Sequence, residues 1–283
     1  MPEGVDLSGL KVVVDCANGA AYKVGPRILA DLGAEIVPIG CSPNGRNIND
    51  ACGSTSPELL QLTVPGVRAD VGIALDGDGD RVVMIDALGR VVDGDQLLFI
   101  LASARQAAGD LRGPVVGTVM SNLGLEQALG ERGIDFRRTA VGDRYVLAAL
   151  QETGGTLGGE TSGHILCLDK TTTGDGLISA LQVLAAMKRA GAGLAELAAP
   201  MPKYPQVMLN VKVERRFDPT ADDAVRLVTE RAQRDFDGRG RVVLRASGTE
   251  PVIRVMVEGH DAAMVKRAAQ EIAAAVERAA RAS

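Results

Sequence analysis

The sequence contains very few aromatic side chains: no tryptophan, three tyrosines and four phenylalanines in 283 residues. Proteins that bind single-stranded nucleic acid stack bases on several neighbouring rings, and seven scattered rings cannot build such a surface. An excess of positive charge is also missing, since the formal net charge is −5. We therefore predict no nucleic-acid partner, and an anionic ligand would need a local group of cations.

Long apolar runs and paired cysteines are absent as well. The longest apolar run, residues 97–104, is far shorter than the ~20 residues of a membrane helix, so we predict no membrane partner. The N-terminus lacks the basic and apolar regions of a signal peptide. The four cysteines form no C-x-x-C pair, and we interpret them as reduced thiols in a cytoplasmic protein.

The order of predicted elements divides the chain into three parts. Residues 1–92 and 93–203 each alternate buried strands with helices, and a weak internal similarity predicts that the two parts have related topology. Three prolines within residues 200–205 then form a stiff connector, and residues 204–283 follow a β-α-β-β-α order. We predict an α/β protein with two related mixed α/β sheet domains and a smaller α+β C-terminal domain.

Some local features are predicted in more detail. Asp95 is expected to cap a helix over residues 96–108, and Asp218 a helix over residues 219–236. A helix is expected over residues 22–32. Pro65 is expected to interrupt a helix before the strand at residues 71–75.

Three aspartates alternate with two glycines directly after a predicted buried strand. Asp76, Asp78 and Asp80 are expected to converge, and a divalent cation is the expected counter-charge because three unpaired carboxylates would repel one another. An EF-hand is excluded, since its sixth and twelfth positions are Arg81 and Ala87 here. A solvated acidic turn is the remaining alternative. Arg81 adds a cation, the combination expected where a phosphoryl group binds.

A second motif, the GETSGH segment (residues 159–164), leads into a predicted strand. Glu160 and Ser162 can form hydrogen bonds with hydroxyl groups, and the glycines allow close approach of a ligand. His164 is one of only two histidines. This segment alone leaves open whether His164 is functional or only ends a turn.

A third motif, residues 245–254, joins two predicted strands. It offers the hydroxyls of Ser247 and Thr249, backbone N–H groups around Gly248, and the flanking Arg245 and Arg254. This combination predicts an anion site with bidentate donors. A β-turn with incidental surface arginines is the alternative.

With these motifs together, the sequence resembles the α-D-phosphohexomutase family. The resemblance rests on seven segments in the family's order: residues 12–21 (VVVDCANGAA), 47–53 (NINDACG), 76–81 (DGDGDR), 141–146 (VGDRYV), 159–164 (GETSGH), 171–176 (TTTGDG) and 245–258. It implies domains II, III and IV of the family at residues 1–92, 93–203 and 204–283, with a TBP-like fold for the last.

The resemblance also implies the role of each motif. Mg²⁺ would be bound by Asp76, Asp78 and Asp80, and Arg81 would contact the transferring phosphoryl group. His164 would transfer a proton or position a neighbour. The expected substrate-binding residues are Gly142, Asp143, Glu160, Ser162, Arg245, Ser247, Gly248, Thr249 and Arg254.

Family members interconvert 6-phospho and 1-phospho sugars through a bisphosphorylated intermediate. We expect the amino-sugar form of this isomerase reaction, which supplies cell-wall precursors, with a phosphosugar as substrate. A sister phosphomannomutase or phosphoglucomutase, or a non-catalytic phosphosugar-binding module, remains as an alternative.

One departure from the family pattern concerns the nucleophile. The family places its phosphoserine in a Thr-Ala-Ser-His-Asn-Pro-like loop of an N-terminal domain, and no serine in this sequence precedes His-Asn. We therefore expect the chain to be inactive alone, with that domain in trans as a partner. A homodimer is a further expectation.

Overall fold

A computed structural model describes residues 6–214, 217–247 and 251–282. The chain divides into two compact units. The first comprises Met1–Ser121 and Leu125–Pro202, and the second comprises Asn122–Gly124 and Lys203–Ser283.

The first sheet of unit 1 has five strands. Its elements are β1 (Lys11–Asp15), α1 (Val24–Asp31), β2 (Glu35–Ile39), α2 (Glu58–Gly66), β3 (Val71–Leu75), β4 (Val82–Asp86) and β5 (Val91–Val92). The strand order is β2-β1-β3-β4-β5, in which β1 is parallel to β2 and β3, whereas β4 is antiparallel to both its neighbours. Every residue of β3 and β4 is buried, and their sequences are apolar except for Asp86 at the end of β4.

The second sheet of unit 1 repeats this plan. Its elements are α3 (Gly94–Ala108), β6 (Val115–Thr118), α4 (Leu123–Glu131), β7 (Phe136–Thr139), α5 (Asp143–Thr153), β8 (Leu157–Gly159), β9 (Ile165–Cys167), α6 (Gly176–Ala190) and α7 (Leu194–Ala198). The order β7-β6-β8-β9 also begins with two parallel pairs, and these are followed by one antiparallel pair where the first sheet has two. The prediction of two related mixed sheets is therefore confirmed.

The two sheets of unit 1 share one hydrophobic core. Side chains of β1 and β3, such as Val12 and Ile73, belong to the same buried cluster as Leu98 of α3, Leu184 of α6 and Val115 of β6. Because this core is continuous, the structure groups the first two predicted domains into one compact unit. The division into three domains stays a prediction.

Unit 2 has a three-stranded antiparallel sheet and two helices. Its elements are β10 (Gln206–Lys212), α8 (Asp223–Phe236), β11 (Gly240–Ala246), β12 (Val252–Gly259) and α9 (Ala262–Ala282), with strand order β10-β12-β11. Alternate residues of β12, namely Ile253, Val255 and Val257, pack in a core with Val265 and Ile272 of α9. This confirms the predicted smaller α+β fold.

Several local predictions were wrong. Asp93, not Asp95, caps α3, because its carboxylate accepts a hydrogen bond from the N–H of Gln96 three residues later. Asp218 caps only a 3₁₀ turn, Pro219–Ala221, and Asp222 caps α8.

Two further helix predictions differ from the structure. The predicted helix at residues 22–32 is a 3₁₀ turn, Ala20–Tyr22, followed by α1. Pro65 does not interrupt α2, since it lies in its last turn, where α2 continues to Gly66. Among the described helices, none combines the length and the apolar character that crossing a bilayer requires.

Candidate functional site

The acidic loop, residues 76–81, leaves the end of β3 and leads directly into β4. Asp76 is buried, and its Oδ1 accepts hydrogen bonds from the N–H groups of Gly79 (3.0 Å) and Arg81 (3.1 Å). Gly79 has φ +80°, which favours glycine over residues with a Cβ. The first aspartate of the motif therefore folds the loop around its own carboxylate.

Negative charge is concentrated inside this loop. Burial raises the pKa of Asp76, the N–H of Arg81 opposes that rise, and the nearby carboxylate of Asp80 adds to it. Nε of Arg81 lies 3.9 Å from Oδ2 of Asp76 and 3.9 Å from Oδ1 of Asp80. A cation bound between the two carboxylates would relieve their repulsion.

The third aspartate of the motif is placed differently, because Asp78 is exposed. Within residues 6–214, 217–247 and 251–282, no group of three or more His, Cys, Asp or Glu side chains is arranged to hold a metal ion. The structure thus brings Asp76 and Asp80 together, and the convergence of all three carboxylates stays a prediction. Hard oxygen donors of this kind are the ligands that Mg²⁺ prefers.

The GETSGH segment lies against the acidic loop. Arg81 and His164 form an antiparallel backbone bridge, and the N–H of Val82 donates to the carbonyl of Gly163 at 3.1 Å. A Cβ on Gly163, whose φ is +92°, would lie 2.0 Å from the carbonyl oxygen of Val82. Glycine is therefore required for the two segments to approach this closely.

The ring of His164 is enclosed between the acidic loop and the TTTGDG segment (residues 171–176). Its Nδ1 lies 3.1 Å from Oδ2 of Asp80, and the side chain is 7% exposed. In the described part of the chain its buried Nε2 has no hydrogen-bond partner, and a Cβ on Gly174 would lie 2.3 Å from that atom. This geometry favours positioning of Asp80 over proton transfer to a substrate.

Sequence reasoning assigned no role to two segments that support the acidic loop. The N–H of Gly176 donates to the carbonyl of Gly79 at 2.9 Å. The second segment is in close contact with Gly77, since a Cβ on that residue would lie 2.6 Å from Cδ1 of Ile48 and 2.8 Å from Nδ2 of Asn49. The glycines within these motifs were the available signal, because they mark places where backbone segments approach closely.

The segment before α5 is connected to the GETSGH segment through Glu160. Oε1 of Glu160 accepts a 3.0 Å hydrogen bond from the N–H of Gly142, which has φ +130°. Asp143 and Ser162 are exposed, so their polar groups can contact a ligand. The structure therefore brings together Gly142 and Glu160, which the sequence predicted as binding residues 18 positions apart.

In unit 2, Arg245 of β11 lies directly opposite Arg254 of β12. Two guanidinium groups on adjacent strands are donors of the kind that suit an anion. Ser247 is buried, and its N–H donates to the carbonyl of Val252 at 2.7 Å. Gly248 and Thr249, also predicted as binding residues, lie outside the described residues.

Comparison with protein families finds three consecutive matches. Residues 3–89 match "phosphoglucomutase/phosphomannomutase, alpha/beta/alpha domain II", residues 93–204 match domain III, and residues 208–275 match the C-terminal domain of the same family.

Curated relatives and solved structures agree with these matches. The chain is 57% identical over 276 residues to the phosphoglucosamine mutase of Methylobacillus flagellatus, covering 98% of this chain and 61% of that protein. It is 58% identical over 277 residues to that of Halorhodospira halophila, again covering 98% and 61%. The chain thus spans about three fifths of the length of these relatives.

Two solved structures have a similar fold. A phosphoglucomutase/phosphomannomutase family protein from Burkholderia thailandensis superimposes with a TM-score of 0.78 at 24% identity, covering 98% of this chain and 62% of that one. The N-acetylphosphoglucosamine mutase of Aspergillus fumigatus, in complex with GlcNAc-6P and magnesium, gives 0.77 at 23% identity, covering 98% and 63%.

Proposed function

The chain belongs to the phosphoglucomutase/phosphomannomutase family, and from this premise we propose that it forms the sugar- and phosphate-binding part of a phosphoglucosamine mutase. The reaction interconverts glucosamine 6-phosphate and glucosamine 1-phosphate by phosphoryl transfer through a bisphosphate. Relatives of that name, 53–58% identical over almost the whole chain, support the choice of an amino sugar.

The acidic loop carries the charge needed at the transferring phosphoryl group. Asp76, Asp78 and Asp80 would bind Mg²⁺, which neutralises charge on phosphoryl oxygens when bound. The guanidinium of Arg81, 3.9 Å from the carboxylates of both Asp76 and Asp80, supplies donors for the same oxygens. His164 positions Asp80 through its Nδ1.

Two other sets of residues bind the rest of the substrate in this proposal. Glu160 and Ser162, with Gly142 and Asp143, form hydrogen bonds with sugar hydroxyls. A phosphate group is bound by the donors of the third motif, namely Arg245, Ser247, Gly248, Thr249 and Arg254.

One observation carries the proposal: the backbone bridge between Arg81 and His164, together with the contact of Asp80 with His164. This contact supports the proposal because it holds the charged acidic loop beside the polar GETSGH segment. A mutase needs both in one place, because the phosphoryl group moves to and from oxygens of the sugar.

The proposal also covers domains, partners and location. Residues 1–92, 93–203 and 204–283 correspond to domains II, III and IV. The nucleophilic phosphoserine comes from the N-terminal domain of the family, in a cytoplasmic and dimeric enzyme. Phosphoryl transfer requires this group, since a cation and an arginine stabilise charge but cannot carry the phosphoryl group.

The test is an assay for glucosamine 1-phosphate with Mg²⁺ and catalytic glucosamine 1,6-bisphosphate. We expect no turnover by the 283-residue protein alone, and turnover when the N-terminal domain of a phosphoglucosamine mutase is added. Arg81→Gln should abolish the restored activity, and Arg68→Gln, an equal charge change on an exposed residue, should not.

The alternatives give different results in the same assay. A phosphomannomutase or phosphoglucomutase would show a higher kcat/KM for mannose or glucose phosphates than for glucosamine 6-phosphate. Tight binding of glucosamine 6-phosphate without turnover, even with the added domain, would indicate a binding module. Turnover by residues 1–283 alone would contradict the assignment of the nucleophile to the N-terminal domain.

A further inference from the structure

The function proposed above assigns no role to the buried carboxylate of Asp95. This residue lies in the first turn of α3 and is 0% exposed. Burying a carboxylate opposes folding, and the helix dipole offsets only part of that cost. Asp93 already caps α3, so helix formation does not explain a second acidic side chain here.

Asp95 holds the GETSGH segment through a side-chain contact. Its Oδ2 accepts a 2.7 Å hydrogen bond from the hydroxyl of Thr161, which is 66 positions away in the sequence. Hydrogen bonds to a charged acceptor are stronger than neutral ones. A backbone contact runs beside it, since the N–H of Gly94 donates to the carbonyl of Thr161 at 3.1 Å.

Thr161 lies between two residues proposed to bind the sugar. Glu160 precedes it and directs its carboxylate to the N–H of Gly142, whereas Ser162 follows it and is exposed. The hydrogen bond to Asp95 therefore fixes the orientation of Thr161, and the orientation of Thr161 sets the directions of the Glu160 and Ser162 side chains.

We propose that Asp95 is a positioning residue for sugar recognition, acting through the hydroxyl of Thr161 on the orientation of Glu160 and Ser162. This inference rests on the proposed function. Asp95 does not itself touch the substrate. Its effect is specific to the sugar, because the donors proposed for the phosphate group in unit 2 do not depend on this hydrogen bond.

The test compares two ligands by calorimetry on the 283-residue protein: glucosamine 6-phosphate and inorganic phosphate. Thr161→Val removes the hydroxyl while keeping the shape, and should weaken binding of glucosamine 6-phosphate about tenfold, with inorganic phosphate unchanged. Thr161→Ser retains the hydroxyl and should restore affinity. Thr153→Val is the matched control, because that hydroxyl donates to Ala149 within α5.

A double-mutant cycle tests whether Asp95 and Thr161 act together. The double variant Asp95→Asn/Thr161→Val should bind glucosamine 6-phosphate no more weakly than the weaker-binding single variant. If the two residues acted independently, their losses of binding free energy would add. Hydrogen exchange of amides 160–164 should become faster in Thr161→Val while the melting temperature stays that of Thr153→Val.

The outcomes separate this inference from the proposed function. If Thr161→Val binds glucosamine 6-phosphate like the wild type, or loses both ligands equally, Asp95 is not a positioning residue. If the wild type binds glucosamine 6-phosphate no more tightly than inorganic phosphate, the proposed sugar site fails. The exchange of amides 160–164 then still decides whether Asp95 orders the segment.

Discussion

Two arginines of β11 provide a matched pair for testing the proposed anion site. Arg241 and Arg245 share one face of the strand, being four residues apart. Across the sheet, Arg241 faces Glu258, with which it forms an ion pair, whereas Arg245 faces Arg254. The same change, arginine to glutamine, should therefore act mainly on stability at position 241 and mainly on phosphate binding at position 245.

The magnitudes follow from these partners. Arg245→Gln removes proposed donors to the anion and should weaken phosphate binding by about 1.5–3 kcal/mol, or about 10- to 150-fold. Arg241→Gln leaves the fully buried Glu258 without its cation, and should destabilise the protein by about 3 kcal/mol.

The measurement is thermal unfolding at low ionic strength, with and without inorganic phosphate. A ligand that binds only the folded state stabilises it in proportion to the logarithm of its concentration over Kd. Phosphate should raise the melting temperature of the wild type and of Arg241→Gln, but barely that of Arg245→Gln. The reasoning is refuted if phosphate raises the melting temperature of Arg245→Gln as much as that of the wild type.

Three further predictions follow from the site and the core. Gly174→Ala should displace the His164 ring, because the added Cβ would overlap it. Measured with the added N-terminal domain, the loss of kcat in Gly174→Ala should equal the loss in His164→Ala. Additive losses in the double variant would contradict the contact between Gly174 and His164. Asp78→Asn should weaken Mg²⁺ binding in calorimetry, and an unchanged affinity would remove the acidic loop from the metal site. Burial raises the pKa of Cys167 from 9.0 to about 11. As the pH rises, this thiol therefore ionises first in the unfolded chain, which favours unfolding. From about pH 9 to 11 the free energy of unfolding should fall by about 2–3 kcal/mol. Urea titrations should show a smaller fall in Cys167→Ala.

Local patterns were sufficient for most of the fold. The apolar runs of β1, β3 and β4 and the alternation in β12 predict strands, because burial of one or both faces leaves a period in the sequence. Prediction failed mainly at helix starts. Asp93 and Asp95 are both suitable caps by residue type, and backbone geometry selects Asp93.

In the candidate site, too, the sequence predicted local features, and the contacts over long sequence distances needed the structure. Residue types and spacing identified the acidic loop, the GETSGH segment and the arginines as separate motifs, because each chemistry needs its donors close together in sequence. The contacts between motifs follow from packing across two sheets and one core. Asp80 meets His164 over 84 positions, and Asp95 meets Thr161 over 66. No local period encodes such pairs, so only the tertiary structure decided which side chains of these motifs contact one another.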